Sequence, residues 1–309
     1  MFKRVCRATA MIVSSALLAA ATLPVGSASA AITAVNHNIA GNTKHGGSES
    51  AWALTNSLLT GDTWVVTAQE VCHDQYEWEM NALRFFLGTV WHGTFRTQYS
   101  GNGFCGKEIG EATHYGSATF GKSTGVSSDI REFPASEILH GSFTNQYPGD
   151  AENRGWNCAR LVGFGVYLAC TAHMTSSNQK PYTSTLSYRE LQTKQFITVA
   201  ALGVMGGQYV RVWWGGDFYV NPGEMLALDP GLTGWSKEAD QCVGPGFLSK
   251  QPTRDGSLTA IDYLFLTTPA SCSGDLALAP GDSGSTPWHS RMPGEFNWDH
   301  RALGAQMSP

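Results

Sequence analysis

After residue 30 the chain has no apolar run approaching the length of a membrane span, no closely spaced cysteines of the kind that hold zinc, and no repeat, linker or low-complexity tract. The first absence leaves no candidate for a spanning helix. The second turns the cysteines toward disulfides, and the third points to one folded unit rather than an array of modules. A basic surplus is missing too, since 25 Asp and Glu stand against 20 Lys and Arg. That excludes a surface that coats nucleic acid non-specifically, although bound divalent cations can still invert the local field for a polyanionic substrate.

What is present begins with a targeting pattern. Lys3, Arg4 and Arg7 precede a short apolar stretch from Ala8 to Leu23, and Ala28-Ser29-Ala30 offers small residues for cleavage near Ala31. Residues 1–30 therefore read as a signal peptide and 31–309 as one domain. The expectation is a secreted, soluble monomer without stable membrane insertion. Without Lys3, Arg4 and Arg7 the chain keeps 17 basic against 25 acidic residues, a formal charge of −8. Six cysteines remain once Cys6 is removed, and an even number in an oxidising compartment favours disulfides. Six allow 15 pairings. Loop closure favours sequence order: Cys72 with Cys105, Cys158 with Cys170, Cys242 with Cys272.

Apolar runs that end in polar residues recur along the chain. Strands are expected over Ile32–Ile39, Trp64–Ala68, Leu161–Cys170, Val210–Tyr219, Ile261–Leu266 and Arg301–Met307. Helices are expected over Ser48–Leu59, over Asp74–Leu87, and from a capping box at Ser187-Tyr188-Arg189-Glu190 to Leu202. Residues 88–160, rich in Gly, Ser, Thr and Asn, read as long loops with short strands such as Ser117–Phe120, and 223–256 as irregular. Strand, helix, strand is an α/β opening. Glu70 follows a buried run, so its charge needs a partner. Asp262 sits in an apolar strand, where an unpaired aspartate is uncommon.

Asn38, Gln69-Glu70, Thr171-Ala172-His173, Gly216-Asp217-Phe218, Ile261-Asp262-Tyr263 and Asp299-His300 resemble, in order and spacing, the motifs of the endonuclease/exonuclease/phosphatase superfamily. That superfamily includes pancreatic deoxyribonuclease, abasic-site endonucleases, neutral sphingomyelinases and inositol polyphosphate 5-phosphatases. The resemblance implies a four-layer α/β sandwich: two mixed β-sheets packed face to face, helices outside, and the active site at one edge. It also implies Glu70 as principal metal ligand with Asn38 beside it and Asp299 completing the acidic site. His300 would be held by Asp262, His173 would lie near the scissile phosphate, and Asp217 near the attacking water. Oxygen donors of this kind suit Mg²⁺ or Mn²⁺.

One position departs from the superfamily. The fourth residue of its Gly-Asp-Phe-Asn motif is Tyr219 here, and Asn221, on the same face of an extended chain, is the candidate replacement. The expected activity is a metal-dependent phosphodiesterase, foremost a nuclease acting on nucleic acid. The alternatives are a phosphoesterase on a phospholipid or inositol phosphate, and a degenerate binding-only member. A different class is also open. Gly281-Asp282-Ser283-Gly284 with Thr171-Ala172-His173 is similar to serine and histidine motifs of chymotrypsin-like peptidases, but that reading leaves Glu70 and Asp299 without a role.

Overall fold

The computed structural model describes residues 32–39, 63–100, 105, 114–163, 165–205, 209, 211–238 and 260–267, with the backbone of 303–307. Strands β1 (Ile32–Asn38) and β2 (Thr63–Cys72) run parallel, with Asn38 opposite Gln69. Helix α1 (His73–Leu87) follows β2 directly, and the Gln75 side chain accepts from the Cys72 amide at 2.8 Å to close its first turn. Strands β3 (Trp91–Ser100), β4 (His114–Lys122) and β11 (Leu303–Met307) complete a five-stranded sheet in the order β11-β1-β2-β4-β3. The second sheet has six strands: β5 (Ile138–Ser142), β6 (Gly155–Val162), β7 (Val166–His173), β8 (Arg211–Asp217), β9 (Ser236–Glu238) and β10 (Asp262–Thr267), ordered β5-β6-β7-β8-β10-β9. Between them in sequence lie α2 (Tyr188–Met205), α3 (Pro222–Leu228) and α4 (Leu232–Trp235). Each sheet mixes one parallel pair, β1 with β2 or β7 with β8, with antiparallel neighbours.

Alternation along the strands sorts side chains into layers. Ala34, Val65, Ala159, Leu161, Ala169, Trp213 and Leu264 fill the space between the sheets. Their sequence neighbours Val35 and Val66 back onto Tyr76, Met80 and Leu83 of α1. On the far side, Cys170, Trp214 and Phe265 pack with Phe196, Ile197 and Ala200 of α2. The result is the expected four-layer α/β sandwich, helix, sheet, sheet, helix. A β-barrel peptidase has no such outer helix layers, so the peptidase reading loses its scaffold.

The layer between the sheets changes character along the strands, and this positions the site. Inward positions run Ala34, Asn36, Asn38 on β1; Val65, Thr67, Gln69 on β2; Ala169, Thr171, His173 on β7; and Trp213, Gly215, Asp217 on β8, all of them buried. Hydrocarbon at one end gives way to carboxylate and imidazole at the other. In the middle, Thr67 Oγ1 and Gln69 Nε2 both donate to Asn36 Oδ1 at 2.8 Å, and Gln69 Nε2 donates to Thr171 Oγ1 at 2.6 Å. This polar belt joins the two sheets by hydrogen bonds that offset the desolvation of its members.

Three expectations are corrected. Residues 88–160 hold four strands, β3 to β6, where long loops with short strands are expected, and the short strand expected at Ser117–Phe120 is the middle of β4. Their inward residues Thr94, Arg96, Gln98 and Asn157 are polar because they face the polar half of the layer, which erases the apolar alternation. Leu161–Cys170 is not one strand but the turn and flanks of the β6–β7 hairpin, in which Val162 pairs with Val166. The segment expected to be irregular after residue 222 contains α3, α4 and β9. The Ser187 cap is as expected: Glu190 accepts from the Ser187 amide at 2.6 Å, and Ser187 Oγ accepts from the Glu190 amide at 3.4 Å. Two disulfides follow sequence order, Cys72–Cys105 and Cys158–Cys170. The signal peptide, the Ser48–Leu59 helix, Cys242 with Cys272, Gly281–Gly284, Asp299 and His300 lie outside the described residues. No helix among the described residues is long and apolar enough to cross a membrane.

Candidate active site

Strict alternation on β2 sends Val66 and Ala68 toward α1 and would send Glu70 the same way. A bulge prevents it. The β2–β4 register shifts between Gln69 and Val71, and Glu70 takes φ +58°. The extra residue turns Glu70 toward the mouth of the inter-sheet layer and returns Val71 to the α1 side. Left-handed backbone costs a non-glycine residue roughly 1–3 kcal/mol. Among the described residues the other non-glycine position with positive φ is Tyr219, at +55°, just after β8. Both stand at the same end of the sandwich.

There the strand ends converge. Asn38 Nδ2 donates to Glu70 Oε1 at 2.9 Å and to Asp217 Oδ2 at 3.1 Å. His173 Nε2 lies 3.6 Å from Glu70 Oε1 and 3.9 Å from Asp217 Oδ2. The Tyr219 ring stacks on His173 with centroids 6.0 Å apart and planes 24° apart. Asp217 can reach this point because β8 presses on β7: a Cβ at Gly216 would stand 2.0 Å from the Ala172 carbonyl oxygen. Asp262 opposes Asp217 across the β10–β8 ladder and is buried with it.

Positive charge comes from Arg154, which precedes β6. Its Nη1 is 2.7 Å from His173 Nδ1, and it pairs with Glu152 at 2.8 Å and Asp150 at 3.4 Å. Burial works against the guanidinium's charge, but Glu152 and Asp150 outweigh it and its pKa rises. Glu152 is pushed up to about 7, first by burial and then by Glu70 and Asp150, against the pull of Arg154. The Tyr115 phenol hydrogen-bonds Glu70 and is held well above its usual range, chiefly by burial and then by the Glu70 and Glu152 carboxylates. It therefore serves as a neutral donor.

Glu70, His173 and Asp217 offer ligand atoms within 4.8 Å of one another. Two carboxylates meeting on a single amide nitrogen concentrate negative charge in a nearly dry place, and oxygen donors of this hardness fit a divalent cation such as Mg²⁺ or Mn²⁺.

No family model matches the chain, and no curated protein matches it in sequence. Solved structures do match in shape. The human Nocturnin catalytic domain with bound sulfate superposes with a TM-score of 0.58 at 15% identity, over 90% of this chain and 94% of that one. A humanised D. rerio TDP2 gives 0.59 at 14%, over 90% and 99%. An endonuclease/exonuclease/phosphatase family protein from Bacteroides thetaiotaomicron gives 0.54 at 13%, over 90% and 94%. The chain has the endonuclease/exonuclease/phosphatase fold.

Within that fold, the residues selected from sequence fall into three groups. Asn38, Glu70, His173 and Asp217 come together, with Asp262 directly opposite Asp217 on β10. Asp299 and His300 are not described. Asn221 has other work: it caps α3, accepting from the Glu224 amide at 2.9 Å while Glu224 accepts from the Asn221 amide at 2.8 Å. Sequence reasoning missed Arg154, Glu152 and Tyr115. Arg154 stands 19 residues before His173, outside any periodic segment, so no spacing rule connects them.

Proposed function

We infer that the protein is a secreted, divalent-cation-dependent phosphodiesterase that hydrolyses phosphodiester bonds in nucleic acid, with residues 1–30 as its signal peptide and 31–309 as its catalytic domain. The observation that carries this reading is the convergence of Asn38, Glu70, His173 and Asp217 at the polar mouth of this fold. The shape relatives are consistent with it. TDP2 from D. rerio has been solved with a single-strand DNA product, and another match is a Bacteroides thetaiotaomicron mannosyl-6-phosphatase, at a TM-score of 0.52 and 12% identity.

The roles follow from position. Glu70 and Asn38, with Asp299, would hold the cation, and Mg²⁺ or Mn²⁺, when bound, would supply positive charge that offsets the charge developing on the phosphate. Asp217, fixed by the Asn38 amide, orients the attacking water. His173 and Arg154 present hydrogen-bond donors where the phosphate must lie. Asp262 orients His300. The buried belt under these groups keeps them from relaxing, which is what preorganised catalysis requires.

The test is a panel of plasmid DNA, RNA, sphingomyelin and inositol phosphates, each with Mg²⁺ and with a chelator, for the wild type and Glu70→Ala. Chelator-sensitive cleavage of nucleic acid, lost in Glu70→Ala while the protein stays folded, supports the reading. Cleavage confined to a lipid or inositol substrate changes the substrate class. No turnover on any member leaves the binding-only alternative.

A further inference from the structure

We propose that Gln146 is a positioning residue: it aims Arg154 at His173 and thereby fixes which ring nitrogen of His173 carries the proton. The consequence for turnover rests on the phosphodiesterase reading, whereas the proton's place is a property of the protein alone.

A guanidinium has N–H donors and no acceptor. With Arg154 Nη1 at 2.7 Å, His173 Nδ1 must offer its lone pair, so the neutral ring carries its hydrogen on Nε2. Nε2 is the nitrogen facing Glu70 and Asp217. In this tautomer His173 donates into the site and has no Nε2 lone pair with which to ligate a cation. Glu70, Asp217 and Asn38 then remain as the described candidate cation ligands. A carboxylate on Nδ1 would demand the opposite arrangement, with the hydrogen on Nδ1.

This depends on where Arg154 points, and its backbone is held from several sides. The β5–β6 ladder ends with Ser142 opposite Gly155, and Phe143 N adds one bond to Arg154 O at 3.0 Å. The Gln146 amide then acts as a further rung. Its Oε1 accepts from Arg154 N at 3.0 Å, and its Nε2 donates to Arg154 O at 2.7 Å and Phe143 O at 2.8 Å. From the other sheet, Gln98 O accepts from Asn153 N at 2.7 Å and Arg96 Nη1 donates to Asn153 O at 3.1 Å. Asp150 and Glu152, in the same loop as Gln146, hold the guanidinium itself. Gln146 is half-buried and binds only backbone, so replacing it alters the aim of Arg154 without removing a charge from the site.

The experiment records two-bond ¹⁵N–¹H correlations of the histidine rings at neutral pH, with His173 assigned by loss of its signals in His173→Asn. The wild type should show Nε2–H and an unprotonated Nδ1. Gln146→Met, similar in volume but without these hydrogen bonds, should give a mixture of tautomers. Gln146→Glu, which keeps the acceptor and loses both donated bonds, should fall between them and serves if the Met variant does not fold. Turnover on the substrate identified above should drop about 10- to 100-fold with KM little changed. An Nδ1–H ring in the wild type overturns the proposal, as do wild-type ring signals in both Gln146 variants. If the wild type cleaves nothing, the functional reading fails while the ring signals still decide this one.

Discussion

Asp217 and Asp262 are direct partners across the β8–β10 ladder, at 0% and 1% exposure. Both side chains occupy inward positions at the charged end of the layer. Asp262→Asn removes one charge and keeps the shape. Turnover should fall far more than affinity. In a double-mutant cycle Asp262→Asn and His300→Ala should couple; strictly additive losses would mean that the two side chains do not touch.

Tyr219 combines a left-handed backbone, φ +55°, with a stack on His173. Asparagine adopts that conformation more readily than a residue with a bulky ring. Tyr219→Asn should stabilise the protein by about 1 kcal/mol in thermal unfolding and preserve or raise turnover. A variant that is folded and inactive would show that the phenol itself takes part in the chemistry.

Cys158 and Cys170 occupy opposed positions of the β6–β7 hairpin, with Cα atoms 4.0 Å apart, on the face that packs against α2. The bond braces the strand that carries His173 without touching the site. Replacing both cysteines with alanine should cost about 2–4 kcal/mol in denaturant unfolding and leave turnover at 20 °C nearly unchanged. Peptide mapping of the native protein should join Cys242 to Cys272; a crossed pair would contradict the assignment.

Glu152 gives a pH signature of unusual sign. Its pKa rises from 4.5 to about 7 on folding, mainly through burial, so between those values the folded state binds more protons than the unfolded state. Its contribution is fully present below pH 4.5 and is lost as pH rises through about 7. Glu152→Gln cannot ionise. The variant should gain stability relative to wild type as pH is raised through that window, read as the difference between two melting curves. A pH-independent difference would show that Arg154 holds Glu152 ionised throughout.

The sequence shows the charged end of the sandwich more clearly than the sandwich itself. On β1, β2, β7 and β8 the inward residues start apolar and end polar or ionisable, which is why Asn38, Gln69-Glu70, His173 and Asp217 stand out at the strand ends. The same gradient concealed β3, whose inward Thr94, Arg96 and Gln98 look like loop residues when read for hydrophobicity alone. An apolar run hides the break between the paired Val162 and Val166, although Gly163 and Gly165 mark it. The position of Asn221 suggests the site, whereas Asn221-Pro222-Gly223-Glu224 carries the pattern of a helix start, with a capping residue, proline in the first turn and glutamate three residues on. The Arg154–His173 contact joins a loop to a strand end, and no local pattern encodes it.

Strand β1, which carries Asn38, is flanked by β2 on one side and on the other by β11, where Ile32 pairs with Met307 and Asn36 with Leu303. Its outer edge therefore has no partner until residues 303–307 have been synthesised. A nascent chain halted earlier presents a row of unpaired amides and carbonyls beside Asn38, an invitation to dock with another unfinished copy. Closure of this sheet is a late, long-range event, so the folding rate should be limited by that search rather than by the local hairpins, and a chain shortened before residue 303 should aggregate instead of persisting as a weaker enzyme.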